Sequence, residues 1–220
     1  MEFVDVLYSR KSIRKYKMQD VPDEDIRKVV DAARIAPSGK NCQNWHFVVL
    51  KNRIIIEKLR QVIQKENRTI VNRMKEIDVE KAERFEKFCN HFTLFIDKAP
   101  VVILTFAKTY YPSGYFEKKL CGESEAILQE LVLKANPGMQ SVGAAMEHMA
   151  LTATNMNYGT CWLTSANYAG EAIEKMLESA TGFEKEGYFF AGMMTLGIPE
   201  EGEHKSPGRK SFEDICTFIV

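Results

Sequence analysis

Residues 36–47 form the stretch Ala36-Pro37-Ser38-Gly39-Lys40-Asn41-Cys42-Gln43-Asn44-Trp45-His46-Phe47, in which small and amide-bearing residues lead directly into an apolar segment. This composition is typical of a loop, and residues 46–50 after it predict a strand. Such a loop can present backbone N–H groups and side-chain amides to the polar edge of a bound ring. The same residues are also expected in an ordinary helix-to-strand connection, so the stretch alone leaves both interpretations open.

Outward from this loop, apolar periodicity predicts helices and strands in mixed order. The predicted helices are 2–8, 22–34, 54–66, 68–96, 123–134, 139–157 and 171–180, and the predicted strands are 46–50, 101–107, 160–164 and 188–196. These elements do not alternate as regular βαβ units, which indicates an α+β fold with a central sheet wrapped by helices. We expect a single domain over 1–220, with helical or lid-like excursions around 54–98 and 108–135.

Composition excludes several classes of protein. The 220 residues carry 30 basic and 30 acidic side chains, so no general attraction to nucleic acid or to an anionic membrane is expected. No apolar run approaches the ~20 residues that span a bilayer, and the N-terminus does not have the pattern of a secretory signal. The scattered cysteines predict free thiols and a cytoplasmic location, and they do not suggest a metal site; they are Cys42, Cys89, Cys121, Cys161 and Cys216.

The common catalytic and nucleotide-binding motifs are absent from the sequence. It contains no Gly-x-x-x-x-Gly-Lys-Ser/Thr, no Gly-x-Gly-x-x-Gly after a strand, no Gly-x-Ser-x-Gly and no His-Glu-x-x-His. If the protein is an enzyme, its reactive centre is therefore expected to belong to a bound cofactor.

Two clusters of cations are candidates for binding an anion. The first is Ser9-Arg10-Lys11-Ser12-Ile13-Arg14-Lys15-Tyr16-Lys17. In an extended segment Arg10, Ser12 and Arg14 point to one side, and two guanidinium groups with a hydroxyl make a suitable phosphate clamp. The second is His204-Lys205-Ser206-Pro207-Gly208-Arg209-Lys210, in a turn near the end of the chain. Charge alone favours solvated surface strips, because basic runs are usually surface features.

Taken together and in order, these pieces resemble the nitroreductase family of FMN-dependent oxidoreductases. The likeness covers essentially the whole chain and is most specific at 36–45. It also includes Arg10 to Arg14, the helix start at 21–25, Ala99-Pro100 before a strand, the helix from Gly143 to Gly159, Leu196 to Pro199, and Arg209-Lys210.

The resemblance implies an α+β sandwich with a mostly antiparallel sheet, which forms an intertwined homodimer with FMN at the interface. It implies that Arg10, Ser12 and Arg14 hold the phosphate, ribityl chain and pyrimidine side of FMN, with contacts from Lys11. It implies that a second group reaches the flavin of the partner subunit, namely Pro37, Ser38, Gly39 and Asn41. A third group is expected to pass beside the isoalloxazine, namely Leu163, Thr164 and Ser165. Arg209 is expected to close over the phosphate, with Lys205 and Lys210 as further candidates there, and Asn90 is a candidate for an amide contact.

The implied reaction is ping-pong hydride transfer from NAD(P)H through FMN to a small electron-poor acceptor, such as a nitroaromatic or a quinone. The aromatic loop with Tyr110, Tyr111, Tyr115 and Phe116 is a candidate cover for that acceptor, and packing of a surface loop explains it equally well. Two alternatives stay open at this point. One is a specialised reaction on the same fold, either reductive dehalogenation or flavin destruction, and the other is a flavin-binding sensor without turnover.

Overall fold

The computed structural model describes residues 2–202, 204 and 206–219. Eight α-helices lie in this part of the chain: α1 Phe3–Ser9, α2 Asp23–Arg34, α3 Arg53–Lys75, α4 Val79–Phe92, α5 Tyr115–Leu120, α6 Glu125–Leu133, α7 Pro137–Asn155 and α8 Gly170–Thr181. Short 3-10 helices occupy Gly39–Asn41, Leu94–Lys98 and Asn167–Ala169. Four β-strands accompany them: β1 Trp45–Leu50, β2 Val101–Lys108, β3 Gly159–Leu163 and β4 Tyr188–Gly197.

The four strands form one sheet in the order β1-β2-β4-β3, and every neighbouring pair is antiparallel. Helices cover both faces of this sheet, which confirms the predicted α+β sandwich. Strands β1 and β3 are the two outer strands of the sheet.

Strand β2 explains why both faces are covered. Its residues alternate between two apolar clusters, because successive side chains of a strand point to opposite faces. Val102, Leu104 and Phe106 pack in the cluster that includes residues of α3 and α8. Val101 and Ile103 pack in the other cluster, which includes the apolar stripes of α2 and α7. The continuous apolar run therefore marks a central strand between two helical layers.

The basic segment after α1 is extended, as its sequence predicts, and runs along the edge strand β3. Ser12 forms a parallel bridge with Thr160, and the backbone N–H of Ile13 donates to the carbonyl of Thr160 at 2.8 Å. Ile13 is buried, so its side chain faces the core. A β-carbon built on Gly159 would lie 2.7 Å from Ile13 Cγ1, so this close approach requires glycine at that position.

The structure corrects two element boundaries. The long helical region divides at residues 76–78, and not near residue 67, because Asp78 caps α4 by accepting from the backbone N–H of Lys81. The turn-rich segment 108–122 contains the short helix α5, which starts after Gly114 in a left-handed conformation at φ 89°. Apolar periodicity did not indicate either boundary, since both depend on local capping.

No helix among the described residues combines the length and apolarity that a membrane-spanning segment needs.

Candidate functional site

The segment Arg10 to Tyr16 divides into a buried face and an outward face. Ile13 and Tyr16 are buried. The Tyr16 hydroxyl donates to the Ile13 carbonyl at 2.5 Å and lies 2.7 Å from Thr195 Oγ1. Burial raises the pKa of Tyr16, so this hydroxyl stays protonated and its hydrogen bonds hold the segment in place. The anchoring leaves Arg10, Ser12 and Arg14 outside the core.

Arg10, Ser12 and Arg14 lie on the segment that runs beside β3, near the buried thiol of Cys161. Burial raises the pKa of Cys161, and Arg14, a hydrogen bond with Ser12 and Arg10 lower it in part. The three predicted residues therefore lie in one short segment beside this edge strand.

The guanidinium of Arg14 packs against aromatic rings and forms no ion pair with a carboxylate of the described residues. Its central carbon lies 5.2 Å from the ring centroid of Phe92 and 6.0 Å from that of Phe95. Its Nε is buried and has no hydrogen-bond partner among the described residues. A buried cationic donor without a partner is costly in a finished site. Arg14 therefore fits a site completed by an anionic or acceptor-rich group.

The end of β3 meets the same region. Leu163 is buried, Thr164 is exposed and Ser165 is half-buried. The Ser165 hydroxyl lies 2.7 Å from the hydroxyl of Thr93, which is fully buried. Thr93 directly follows Phe92 in the chain, so one short segment contacts both Arg14 and the strand end.

The 36–45 loop is held in place by α7 and by the aromatic segment. The Gly39 N–H donates to Ser141 Oγ at 3.3 Å, and a β-carbon on Gly39 would lie 2.9 Å from the Tyr110 hydroxyl. Lys40 and Asn41 have φ values of 52° and 53°, in the left-handed region that side chains rarely adopt. Pro37 and Asn41 are exposed, and Ser38 is half-buried, with its hydroxyl accepting from the Gln43 N–H.

The loop and the basic segment stand at opposite edges of the sheet. The loop leads into β1, whereas Arg10 to Arg14 lie along β3. Three strand spacings separate these edges, or about 14 Å. No hydrogen bond or ion pair between residues of the described chain joins the two groups.

The other predicted residues are Lys11, Asn90, Arg209, Lys205 and Lys210. Lys11 is half-buried in the basic segment, and Asn90 is exposed in the last turn of α4. Arg209 and Lys210 are exposed, and the Arg209 guanidinium donates to the nearby carbonyl of Pro207 at 3.5 Å. Lys205 lies outside the described residues.

Sequence reasoning missed the residues that orient the clamp. Phe92, Thr93 and Phe95 belong to a helical stretch whose apolar residues predicted only core packing. Glu147, on α7, lies 3.7 Å from Arg10 Nε. The one available signal was Thr93, a polar residue within an apolar run; buried polar groups usually have partners.

The fold is an α+β sandwich with a four-stranded antiparallel sheet and a basic segment along one of its outer strands. Within this fold class, the chain belongs to the nitroreductase family, whose model matches residues 7–198.

The chain is similar to three known proteins. A BluB-like flavoprotein from Clostridium difficile 630 is 52% identical and superimposes with a TM-score of 0.97, each chain being covered in full. A nitroreductase with bound FMN from Bacteroides fragilis NCTC 9343 is 18% identical over 100% of both chains, with a TM-score of 0.70, and shares the fold. The iodotyrosine deiodinase of Hydra vulgaris is 30% identical over 156 residues, which are 69% of this chain and 54% of the deiodinase. The match thus spans about half the length of that curated relative.

Proposed function

We propose that this protein is an FMN-dependent oxidoreductase that takes hydride from NAD(P)H and reduces small electron-poor acceptors, such as nitroaromatics or quinones. The observation that carries the proposal is the buried Arg14 Nε, which has no hydrogen-bond partner among the described residues and lies with Arg10 and Ser12 on the segment beside β3. A phosphorylated, acceptor-rich cofactor such as FMN would supply the missing partners.

Each group of residues has a distinct task in this proposal. Arg10 and Ser12, with Lys11, would hold the phosphate and ribityl chain, and Arg14 would stabilise the pyrimidine side. Backbone N–H groups of Leu163 to Ser165 would donate to the isoalloxazine. Bound FMN supplies the hydride chemistry, so no protein nucleophile is required. A cation at the pyrimidine edge stabilises negative charge there and favours the reduced cofactor.

The separation of the two half-sites supports a homodimer. The loop leads into β1 and the basic segment runs along β3, the two outer strands of the sheet, and no hydrogen bond or ion pair between described residues joins them. A two-fold dimer places the loop of one protomer against the basic segment of the other. We therefore infer that Pro37, Ser38, Gly39 and Asn41 contact the cofactor held mainly by the partner subunit.

Exposed apolar surface also supports a dimer that intertwines. Helix α1 exposes Phe3, Val4 and Tyr8, at 66%, 58% and 83%. The final segment, 206–219, has no regular helix or strand and exposes Phe218 and Ile219, at 76% and 96%. Apolar patches of this kind mark contact surfaces. In the dimer the final segment would cross to the partner subunit and bring Arg209 to a phosphate.

The aromatic segment is proposed to cover the acceptor. Tyr111, Tyr115 and Phe116 are in mutual ring contact, with centroids 4.6 to 5.3 Å apart. Phe116 is 61% exposed, so it can contact a small molecule. We take 108–135 as an excursion of the single domain that lies near the site.

A second candidate is reductive dehalogenation by the same cofactor. The 30% identity with the Hydra vulgaris deiodinase favours it. Both reactions need the flavin site, so they differ only in the acceptor.

The test is the absorbance spectrum of the purified protein, followed by anaerobic addition of NADH or NADPH. Flavin bands that bleach, and that return with a nitroaromatic or a quinone, support the proposal. Bands that return only with a halogenated aromatic favour the second candidate. A protein that neither carries nor takes up FMN contradicts both, and bands that stay oxidised with both nucleotides indicate a sensor.

A further inference from the structure

The junction between α4 and β2 touches the proposed flavin site at two points. Phe92 and Phe95 pack against the Arg14 guanidinium, at 5.2 and 6.0 Å. Between them in the chain, Thr93 lies 2.7 Å from Ser165 Oγ. We propose that the junction Phe92–Phe95 is a positioning element that fixes Arg14 relative to the end of β3, and thereby sets the affinity and reduction potential of the flavin. This inference rests on the proposed function.

The position of the Arg14 guanidinium depends on its contacts with the rings of Phe92 and Phe95. A guanidinium stacked on aromatic faces keeps its N–H donors in the plane of the group, free to point at a ligand. Its other contact in the described chain is a weak one, from Nη1 to the Ser12 carbonyl at 3.5 Å. The two rings therefore decide where this cation sits, and a cation near the reduced flavin raises the potential.

The hydrogen bond between the Thr93 and Ser165 hydroxyls links the junction to the end of β3. Thr93 is fully buried, so its hydroxyl cannot exchange Ser165 for water without opening the core. The bond ties the turn after β3 to the segment that holds Arg14. Two edges of the flavin, the pyrimidine side and the side near Leu163 to Ser165, would thus depend on one short segment.

Four variants test the element. Phe92→Leu removes the ring and Phe92→Tyr keeps it, whereas Thr93→Val removes the hydroxyl and Thr93→Ser keeps it. Phe88→Leu is the matched control, because Phe88 contacts Phe92 with centroids 5.2 Å apart and has no described contact with Arg14. Phe92 and Phe88 are 37% and 45% exposed, so both leucine variants are expected to fold.

The readouts are the FMN dissociation constant, measured by fluorescence titration of the apoprotein, and the midpoint potential of the bound flavin. Phe92→Leu should weaken FMN binding about fivefold to tenfold, as expected for a partly desolvated cation–π contact. It should also shift the equilibrium between oxidised and reduced flavin up to tenfold towards the oxidised form, which lowers the midpoint potential by up to about 30 mV. Thr93→Val should weaken binding to a similar extent, and Phe92→Tyr, Thr93→Ser and Phe88→Leu should stay within twofold of the wild type.

Failure of this inference is distinguishable from failure of the proposed function. If the wild type binds no FMN, the proposed function is wrong. If the wild type binds FMN, and Phe92→Leu and Thr93→Val match Phe88→Leu in both affinity and potential, the positioning role is wrong. Loss of binding in the tyrosine and serine variants as well would also contradict it, since those variants keep the contacts.

Discussion

Arg10 Nε lies 3.7 Å from Glu147 Oε1, so the first arginine of the basic segment is oriented by a carboxylate of α7. The pair is partly exposed, at 25% and 46%, and ion pairs of this kind contribute about 0–1 kcal/mol to stability. The arrangement therefore serves to orient Arg10 more than to stabilise the fold.

Arg10→Ala should separate cofactor binding from stability. We expect FMN affinity to fall at least tenfold, because a forked donor to the phosphate is lost, while the melting temperature of the apoprotein stays within about 2 °C. Fluorescence titration and thermal unfolding measure the two effects. Lys15→Ala, an exposed change in the same segment, is the control. An FMN content unchanged from wild type would remove Arg10 from the site.

A mixing experiment should reveal sites shared between protomers. Arg10→Ala impairs the basic segment, and a double change, Ser38→Ala with Asn41→Ala, impairs the loop. If each site takes the segment from one protomer and the loop from the other, a heterodimer of the two variants has one intact site and one doubly impaired site. We expect mixing, unfolding and refolding of the two weak binders to restore up to one flavin per heterodimer.

The control for that experiment is each variant refolded alone, which should gain no flavin. Were the segment and loop of one chain to form a site together, the heterodimer would bind no better than its parents. That result would contradict the proposed geometry of the dimer.

Gly159→Ala should displace the basic segment from β3. The new β-carbon would lie within 2.7 to 2.9 Å of Ile13 Cγ1, Cβ and Cγ2, and the Ile13 Cβ cannot move without its backbone. We expect a loss of about 1–3 kcal/mol in the free energy of unfolding, together with weaker FMN binding. Denaturant unfolding and FMN titration measure both.

A second change tests the cause of that loss. Combining Gly159→Ala with Ile13→Gly removes all three contacting atoms of Ile13, so the double variant should be more stable than the sum of the two single effects predicts. Strict additivity would mean that the glycine is required for another reason.

His46 should make stability depend on pH. Burial, and then Lys185, lowers the pKa of His46, whose ring stacks on Phe183 with centroids 5.7 Å apart. The unfolded chain, in which histidine titrates near ~6.5, therefore takes up the proton more readily. Stability should fall as the pH drops through about 6.5 towards the lower pKa of the folded state.

His46→Phe removes this titration and keeps an aromatic ring for stacking. We expect a shallower decline of the melting temperature between pH 7 and pH 5, measured by scanning fluorimetry at several pH values. The control is His204→Phe, which replaces a histidine near the end of the chain. An unchanged slope in His46→Phe would show that another group causes the dependence.

The sequence by itself determined the elements and the family. Periodicity located β2 and α7 closely because each buries a regular apolar face, and the period of that face is local information. The order of the basic segment, the 36–45 loop and the later motifs was enough for the resemblance, which the family model over residues 7–198 confirms. The division between α3 and α4 was misplaced because the capping of Asp78 overrides a continuous amphipathic pattern.

Only the tertiary structure decided how the site is assembled. The strand order sets the 36–45 loop and the basic segment at opposite edges, and no local pattern encodes strand order. The contact of Arg14 with Phe92 joins residues far apart in the chain, and Thr93 meets Ser165 across a similar separation. Such contacts arise from packing of whole layers, so the sequence could suggest candidate binding residues but not the residues that pack against them.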